Sequence, residues 1–139
     1  ATALRDTGRL DEAVATYRRS LGLVPDSAYT HLDLAKALSR KGDRSGAEAA
    51  TREALRLAPG LAEGHFDLGV IAFESGRLGD AASSFDEAWR LAPADAAAGN
   101  NLAGTYLKLG RVAEAGDVVR AMRERGLPVD PQLTRSPVE

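Results

Sequence analysis

"GRLGDAASSFDEAWRLAP", residues 76–93, opens on glycine, closes on proline, and carries Leu78, Ala81, Ala82, Phe85, Ala88 and Trp89 between them. Counted from the leucine, these fall at offsets 3, 4, 7, 10 and 11, the stripe of an amphipathic helix. The same outline stands upstream as "GRLDEAVATYRRSLGLVP" (8–25) and "GDRSGAEAATREALRLAP" (42–59), and downstream as "GRVAEAGDVVRAMRERGLP" (110–128). Gly8, Gly42, Gly76 and Gly110 keep a spacing of 34, as do Ala13, Ala47, Ala81 and Ala115, and so do Pro25, Pro59 and Pro93. Three series in one phase are a true internal repeat.

Within a repeat the glycine separates two helical patterns. In the third, residues 62–75 carry Phe66, Leu68, Gly69, Ala72 and Phe73 as helix A, and residues 78–91 follow as helix B. Glycine just past a helix end takes the left-handed conformation that other residues resist. Proline disfavours helix at the residue before it, so this helix B should stop near Ala92. Asp26, Ser27 and Asp95 then supply restart signals. No segment shows sustained alternation with β-branched enrichment, so no strand is predicted. The reading gives repeats at about 1–27 (truncated), 28–61, 62–95 and 96–126. Residues 127–139 follow as a mobile, proline-containing tail or linker, with three prolines in the fourteen residues "GLPVDPQLTRSPVE".

The 139 residues are 44% hydrophobic but only 5% aromatic, which suits helices packed closely through alanine. Net charge is −2 from 18 basic and 20 acidic residues, so no global field points to nucleic acid or an anionic membrane. The absence of cysteine excludes disulfides and thiolate metal sites, and leaves the compartment open between cytoplasm, the favoured choice, and periplasm. No apolar run approaches the roughly 20 residues that membrane insertion needs. Alanine–arginine richness is compatible with a GC-rich bacterial source. The chain begins without methionine inside a helical pattern, and its last helix lacks a polar capping helix. It therefore reads as a piece of a longer protein.

These residues resemble the tetratricopeptide repeat family. The third repeat matches at His65, Leu68-Gly69, Ala72, Ala81, Phe85, Ala88 and Pro93, and the second at His31, Leu34-Ala35, Leu38, Ala47, Thr51, Ala54 and Pro59. The fourth matches at Leu102-Ala103, Tyr106, Ala115, Val119 and Met122, with Pro128 one place late, and the first at Leu4, Ala13, Tyr17, Ser20 and Pro25. The resemblance implies an all-α, right-handed superhelical solenoid of antiparallel helix pairs with period 34. Ala35, Gly69 and Ala103, with Ala47, Ala81 and Ala115, would let helices approach closely. Histidines stand where the family often has tryptophan, Gly99 holds that place in the fourth repeat, and Thr51 replaces an aromatic. Looser packing is expected at those contacts.

His31 and His65 are 34 residues apart, too far in stacked repeats to share a metal, and read as packing residues. No nucleophile–base–acid set, phosphate loop or metalloprotease motif is present, so neither an enzyme active site nor a cofactor or metal site is predicted. Arg18, Arg19, Arg52, Arg56, Arg90, Arg120, Arg123 and Arg125 alternate with acids on helix B and read as a solvated face, without the aromatic interleaving of a nucleic-acid surface.

The resemblance implies a binding groove lined by helix A. Carried over position by position, it offers Tyr29, Leu32, Asp33, Lys36 and Arg40 in the second repeat and Glu63, Phe66, Asp67, Val70 and Phe73 in the third. The fourth offers Asn100, Asn101, Leu107 and Lys108, while Thr2, Arg5 and Asp6 remain from the first. Asp33, Asp67 and Asn101 share one position, a polar ladder suited to an extended peptide. Family members that grip a C-terminal carboxylate use lysine, asparagine and arginine at set inner positions. Asp33 and Asp67 stand at two of those, which argues against that clamp. The expected function is a protein- or peptide-binding scaffold. The alternatives are a substrate-positioning accessory domain of a larger enzyme, or weak self-association through the uncapped last helix.

Overall fold

The structure, a computed structural model, describes residues 2–134, with side chains for residues 8–133. Among the described residues there are seven α-helices, one short 3-10 turn and no strand. The helices are α1 (Thr2–Leu23), α2 (Ala28–Arg40), α3 (Arg44–Leu57), α4 (Ala62–Glu74), α5 (Leu78–Leu91), α6 (Ala96–Lys108) and α7 (Val112–Glu124), and the 3-10 turn is Pro131–Thr134. Helices A of the second to fourth repeats are thus α2, α4 and α6, and helices B are α3, α5 and α7. Contacts divide the chain into two compact halves, residues 1–64 and 65–139, with the boundary inside α4.

The punctuation has the expected physical basis. Gly42, Gly76 and Gly110 sit at φ +88°, +81° and +78°. There the chain turns back, and the next amide bonds the helix it has left: Asp43 N to Leu38 O at 2.9 Å, Arg77 N to Ala72 O at 2.9 Å and Arg111 N to Tyr106 O at 2.8 Å. Before the prolines, Ala58 and Ala92 are extended (φ −141° and −134°), so α5 ends at Leu91, one residue short of Ala92. Ser27 Oγ accepts from Thr30 N at 3.3 Å and Asp95 Oδ1 from Ala97 N at 3.0 Å, capping α2 and α6. An unanticipated cap is Asp43, whose carboxylate accepts from Gly46 N at 2.9 Å to start α3. Asp26 stays exposed in its turn and caps nothing.

Two expectations about these elements need correction. Gly8 does not break the first repeat: α1 runs through it from Thr2 to Leu23. A mid-helix glycine costs about 1 kcal/mol, less than abandoning the backbone bonds around it. Gly126, outside the periodic series, ends α7 at φ +71°, with Leu127 N returning to Met122 O at 2.9 Å. The stretch after it, expected as a mobile tail, is packed as far as Leu133. Leu127, Val129 and Leu133 are half-buried against the C-terminal half's core, because their burial offsets the cost of ordering a non-helical segment. Residues 135–139 lie outside the described residues.

Each half has its own core. In the N-terminal half Val14, Leu34, Ala35, Leu38, Ala47 and Ala54 are buried. In the C-terminal half the cluster is built on Phe85, Leu102, Ala103, Val118, Val119 and Met122, with Ala72, Ala81, Ala82 and Ala115 filling the close approaches. The Gly99 and Thr51 contacts are tighter than expected. A β-carbon on Gly99 would lie 2.8 Å from Met122 Sδ, so the methionine fills the space the glycine leaves. Thr51 is fully buried and its hydroxyl donates to Ala47 O at 2.8 Å.

Gly8 and Gly76 share a repeat position but should respond oppositely to alanine. Gly8→Ala, helical with open space around its Cα, should stabilise the fold by roughly 0.5–1 kcal/mol. Gly76→Ala, at φ +81°, should destabilise it by about 1–2 kcal/mol. Thermal unfolding followed by circular dichroism should show melting shifts of opposite sign; equal signs would refute the continuous α1.

Candidate functional site

In the N-terminal half the candidate residues sit on α2 and at the start of α4. Tyr29, Asp33, Lys36 and Arg40 recur at helical spacing and share the face of α2 left over by the buried stripe of Leu34, Ala35, Ala37 and Leu38. Tyr29 is 68% exposed. Asp33, Lys36 and Arg40 line a hollow of about 250 Å³ with Leu10 and Tyr17 of α1. Lys36 Nζ pairs with the Glu63 carboxylate. Leu32 does not belong to this face. It is 2% exposed and packs where a β-carbon on Gly64 would lie 3.5 Å from its Cδ2, so it is a core residue and no groove residue. The side chains of Thr2, Arg5 and Asp6 lie outside the described residues.

In the C-terminal half Phe66 meets the buried Phe85 ring edge-on, with centroids 5.6 Å apart and planes at 62°. Val70 and Phe73 are half-buried against the same core, and Lys108 Nζ lies 5.5 Å from the Phe73 ring centroid. Together with Asn100, Asn101 and Gly104 they line a hollow of about 380 Å³, closed on another side by Asp130 and Leu133. Gly104 lines this hollow too, and a β-carbon there would lie in ordinary contact, 3.9 Å, with Leu133 Cδ2. Asp67 is half-buried on α4, and Leu107 is 36% exposed on α6. Asn100 is engaged at both ends of its amide. Nδ2 donates to Pro128 O at 3.1 Å, and Oδ1 accepts from Asp130 N at 2.9 Å. Sequence reasoning missed Asp130 and Leu133 as lining residues, although Leu127, Val129 and Leu133 all stand an even number of residues apart.

The other sequence candidates settle into structural roles. His31 Nε2 lies 3.1 Å from Pro25 O, joining α2 to the turn before it. The helix B arginines pair along their own helices: Arg52 with Glu48 at 3.0 Å, Arg90 with Asp86 at 3.0 Å and Arg120 with Asp117 at 3.2 Å. A hydrogen bond from Arg56 holds the Glu53 carboxyl below its ordinary value, and Arg111 does the same for Glu114. With folded values depressed, these carboxylates favour the fold above the ordinary range and lose that contribution as pH falls through it. Arg125 stacks over the Trp89 ring at 4.8 Å and donates to Pro93 O at 3.3 Å. Among the described residues no three His, Cys, Asp or Glu side chains converge, and no helix is long and apolar enough to cross a membrane.

Three family models match the chain, two described as tetratricopeptide repeat over residues 72–132 and 32–96, and one as TPR repeat over residues 1–42. No curated protein sequence matches it. Among solved structures it is similar to MamA, at 24% identity and TM-score 0.76 over 84% of this chain and 68% of that one. A second MamA structure gives 19% identity and TM-score 0.77 over 91% of this chain and 73% of that one. It is also similar to the first TPR of Spaghetti (RPAP3) bound to the HSP90 peptide SRMEEVD, at 22% identity and TM-score 0.71 over 74% of this chain and 82% of that one. At these identities the likeness is one of fold.

Two of the aromatic candidates should separate by stability. Phe66→Ala removes an edge-on ring contact and should cost roughly 2 kcal/mol, whereas Tyr29→Ala should stay within about 0.5 kcal/mol of the parent. Urea unfolding of both variants checks this, and a large loss for Tyr29→Ala would place that ring in the core.

Proposed function

The chain belongs to the tetratricopeptide repeat family, and from that premise we propose that it is a protein- or peptide-binding scaffold whose ligand docks on the helix A residues. The observation that carries the reading is the surface that each half's core leaves unused, on α2 in the N-terminal half and on α4 and α6 in the C-terminal half. Tyr29 stands exposed in the first, where Lys36 pairs with Glu63; in the second Leu107 is exposed, Phe73 is only half-buried and Lys108 lies over its ring. Apolar rings supply affinity and the flanking charges supply orientation. No bond is made or broken in such a function; the mechanism is equilibrium docking.

The RPAP3 relative was solved with a short peptide whose last residues include two glutamates and an aspartate. That supports a peptide as the kind of ligand, but not the same one. Asp33 and Asp67 bring negative charge to the positions where an acidic terminus would sit, so the favoured ligand is an internal segment with an apolar anchor. Self-association is the second reading, motivated by a hollow of about 400 Å³ lined by Leu107, Val112, Val119 and Leu133, with Val112 64% exposed. Light scattering of the chain at high concentration tests it, and a strictly monomeric particle would eliminate it.

Peptides selected from a displayed random library on the immobilised chain provide the probe. Peptides held by the N-terminal half should weaken about tenfold with Tyr29→Ala, and those held by the C-terminal half with Phe73→Ala, some 1.4 kcal/mol in each case, with the helical circular dichroism unchanged. Selected peptides that bind both variants as tightly as the parent, or loss of helix in both variants, would refute the helix A reading.

A further inference from the structure

The C-terminal half already holds an extended segment on its helix A face, and that segment is its own. From Gly126 the chain leaves α7 and runs back along α6. Asn100 of α6 meets it with both ends of one amide, donating to Pro128 O and accepting from Asp130 N. These are backbone groups two residues apart, one facing acceptor and one facing donor, which is how an extended strand presents itself to a neighbour. Leu133 then closes the hollow of Val70, Phe73 and Gly104. A short internal bond, Leu133 N to Asp130 O at 3.0 Å, sets the turn that aims the leucine there. Lys108 lines the same hollow as the exposed Asp130, opposite in charge.

We propose that residues 127–133 are an intramolecular ligand of this face, and that the partner which replaces them is an extended peptide of the same chemistry. That chemistry is a proline-interrupted backbone gripped by the Asn100 amide, an acidic residue toward Lys108, and an aliphatic anchor five residues after the first gripped carbonyl. The inference rests on the reading of helix A as the peptide face. The tethered segment competes at high effective concentration, so the resting chain masks the subsite and the partner displaces it.

The probe is a fluorescein-labelled synthetic peptide, LPVDPQL, titrated against the full chain by anisotropy. Leu133→Ser removes the anchor of the tethered copy and leaves the subsite intact. It should bind the peptide about tenfold tighter than the parent chain does, and its segment should be cut faster by a protease of low specificity. Adding Asn100→Ala to Leu133→Ser should return the peptide to parental or weaker binding, with helix content preserved in all variants. Equal affinity for parent and Leu133→Ser, no binding to Leu133→Ser, or indifference to Asn100→Ala would each overturn the proposal. The library-selected peptides separate the two readings. If they still depend on Phe73 while Leu133→Ser leaves their affinity unchanged, the masking fails and the scaffold stands. If neither they nor LPVDPQL respond to Phe73→Ala, the helix A face itself fails.

Discussion

A β-carbon on Gly69 would stand 2.7 Å from two carbons of the Phe85 ring, a distance that real side chains do not reach. The closeness of α4 to α5 therefore depends on the residue that has no side chain there. At a different repeat position, Gly99 of α6 lets Met122 of α7 come equally near. Once helix A sits this near to helix B, the large buried ring supports the residues around it. Phe66 stands edge-on to Phe85, and Val70 and Phe73 follow at helical spacing, half in the core and half out of it. The half-exposure of the candidate site is thus a consequence of packing from behind.

The period was legible because it is written in backbone chemistry. Gly42, Gly76 and Gly110 occupy a conformation that other residues enter at a cost, and Ala58 and Ala92 are extended because proline follows. Gly8 carries the same letter without the same conformation: it lies inside α1, while its three counterparts sit at positive φ. Side-chain placement at the stripe's edge was less legible. Leu32 and Tyr29 both border the apolar stripe of α2, and only the space above Gly64, thirty-two residues away from Leu32, assigns the leucine to the core. Gly99 read as a loose contact for the same reason, because the compensating Met122 lies on another helix. After Gly126 the prolines correctly signalled no α-helix, yet lack of helix is not lack of packing: Leu127, Val129 and Leu133 find the core without it.

Charge is organised differently on the two kinds of helix. On helix B Arg52, Arg56, Arg90 and Arg120 pair with acids three or four residues along the same helix, so each of these pairs is complete without a neighbouring helix. On helix A the charges reach outward: Lys36 of α2 pairs with Glu63 of α4, and Lys108 lies over the Phe73 ring. A ligand that takes Lys36 from Glu63 exchanges one exposed ion pair for another and gains little net free energy. Such groups set the direction of a bound segment and exclude wrong ones, while the aromatic surface supplies the binding. This separation of roles is why exposed rings, and not the richer supply of arginine, mark the candidate face.

The Asn100 contact adds a constraint on selectivity. An amide that bonds a carbonyl and an N–H two residues apart reads the backbone, and every non-proline residue offers that donor. It fixes register without choosing a sequence. Pro128 contributes only its carbonyl, and Asp130 contributes its amide while its carboxylate accepts from Gln132 N at 3.0 Å, so neither residue's side chain is recognised by Asn100. Discrimination must come from what the register delivers next, which is the residue that enters the hollow beside Val70 and Phe73. In the protein's own chain that residue is Leu133, which lines the hollow with Val70, Phe73 and Gly104.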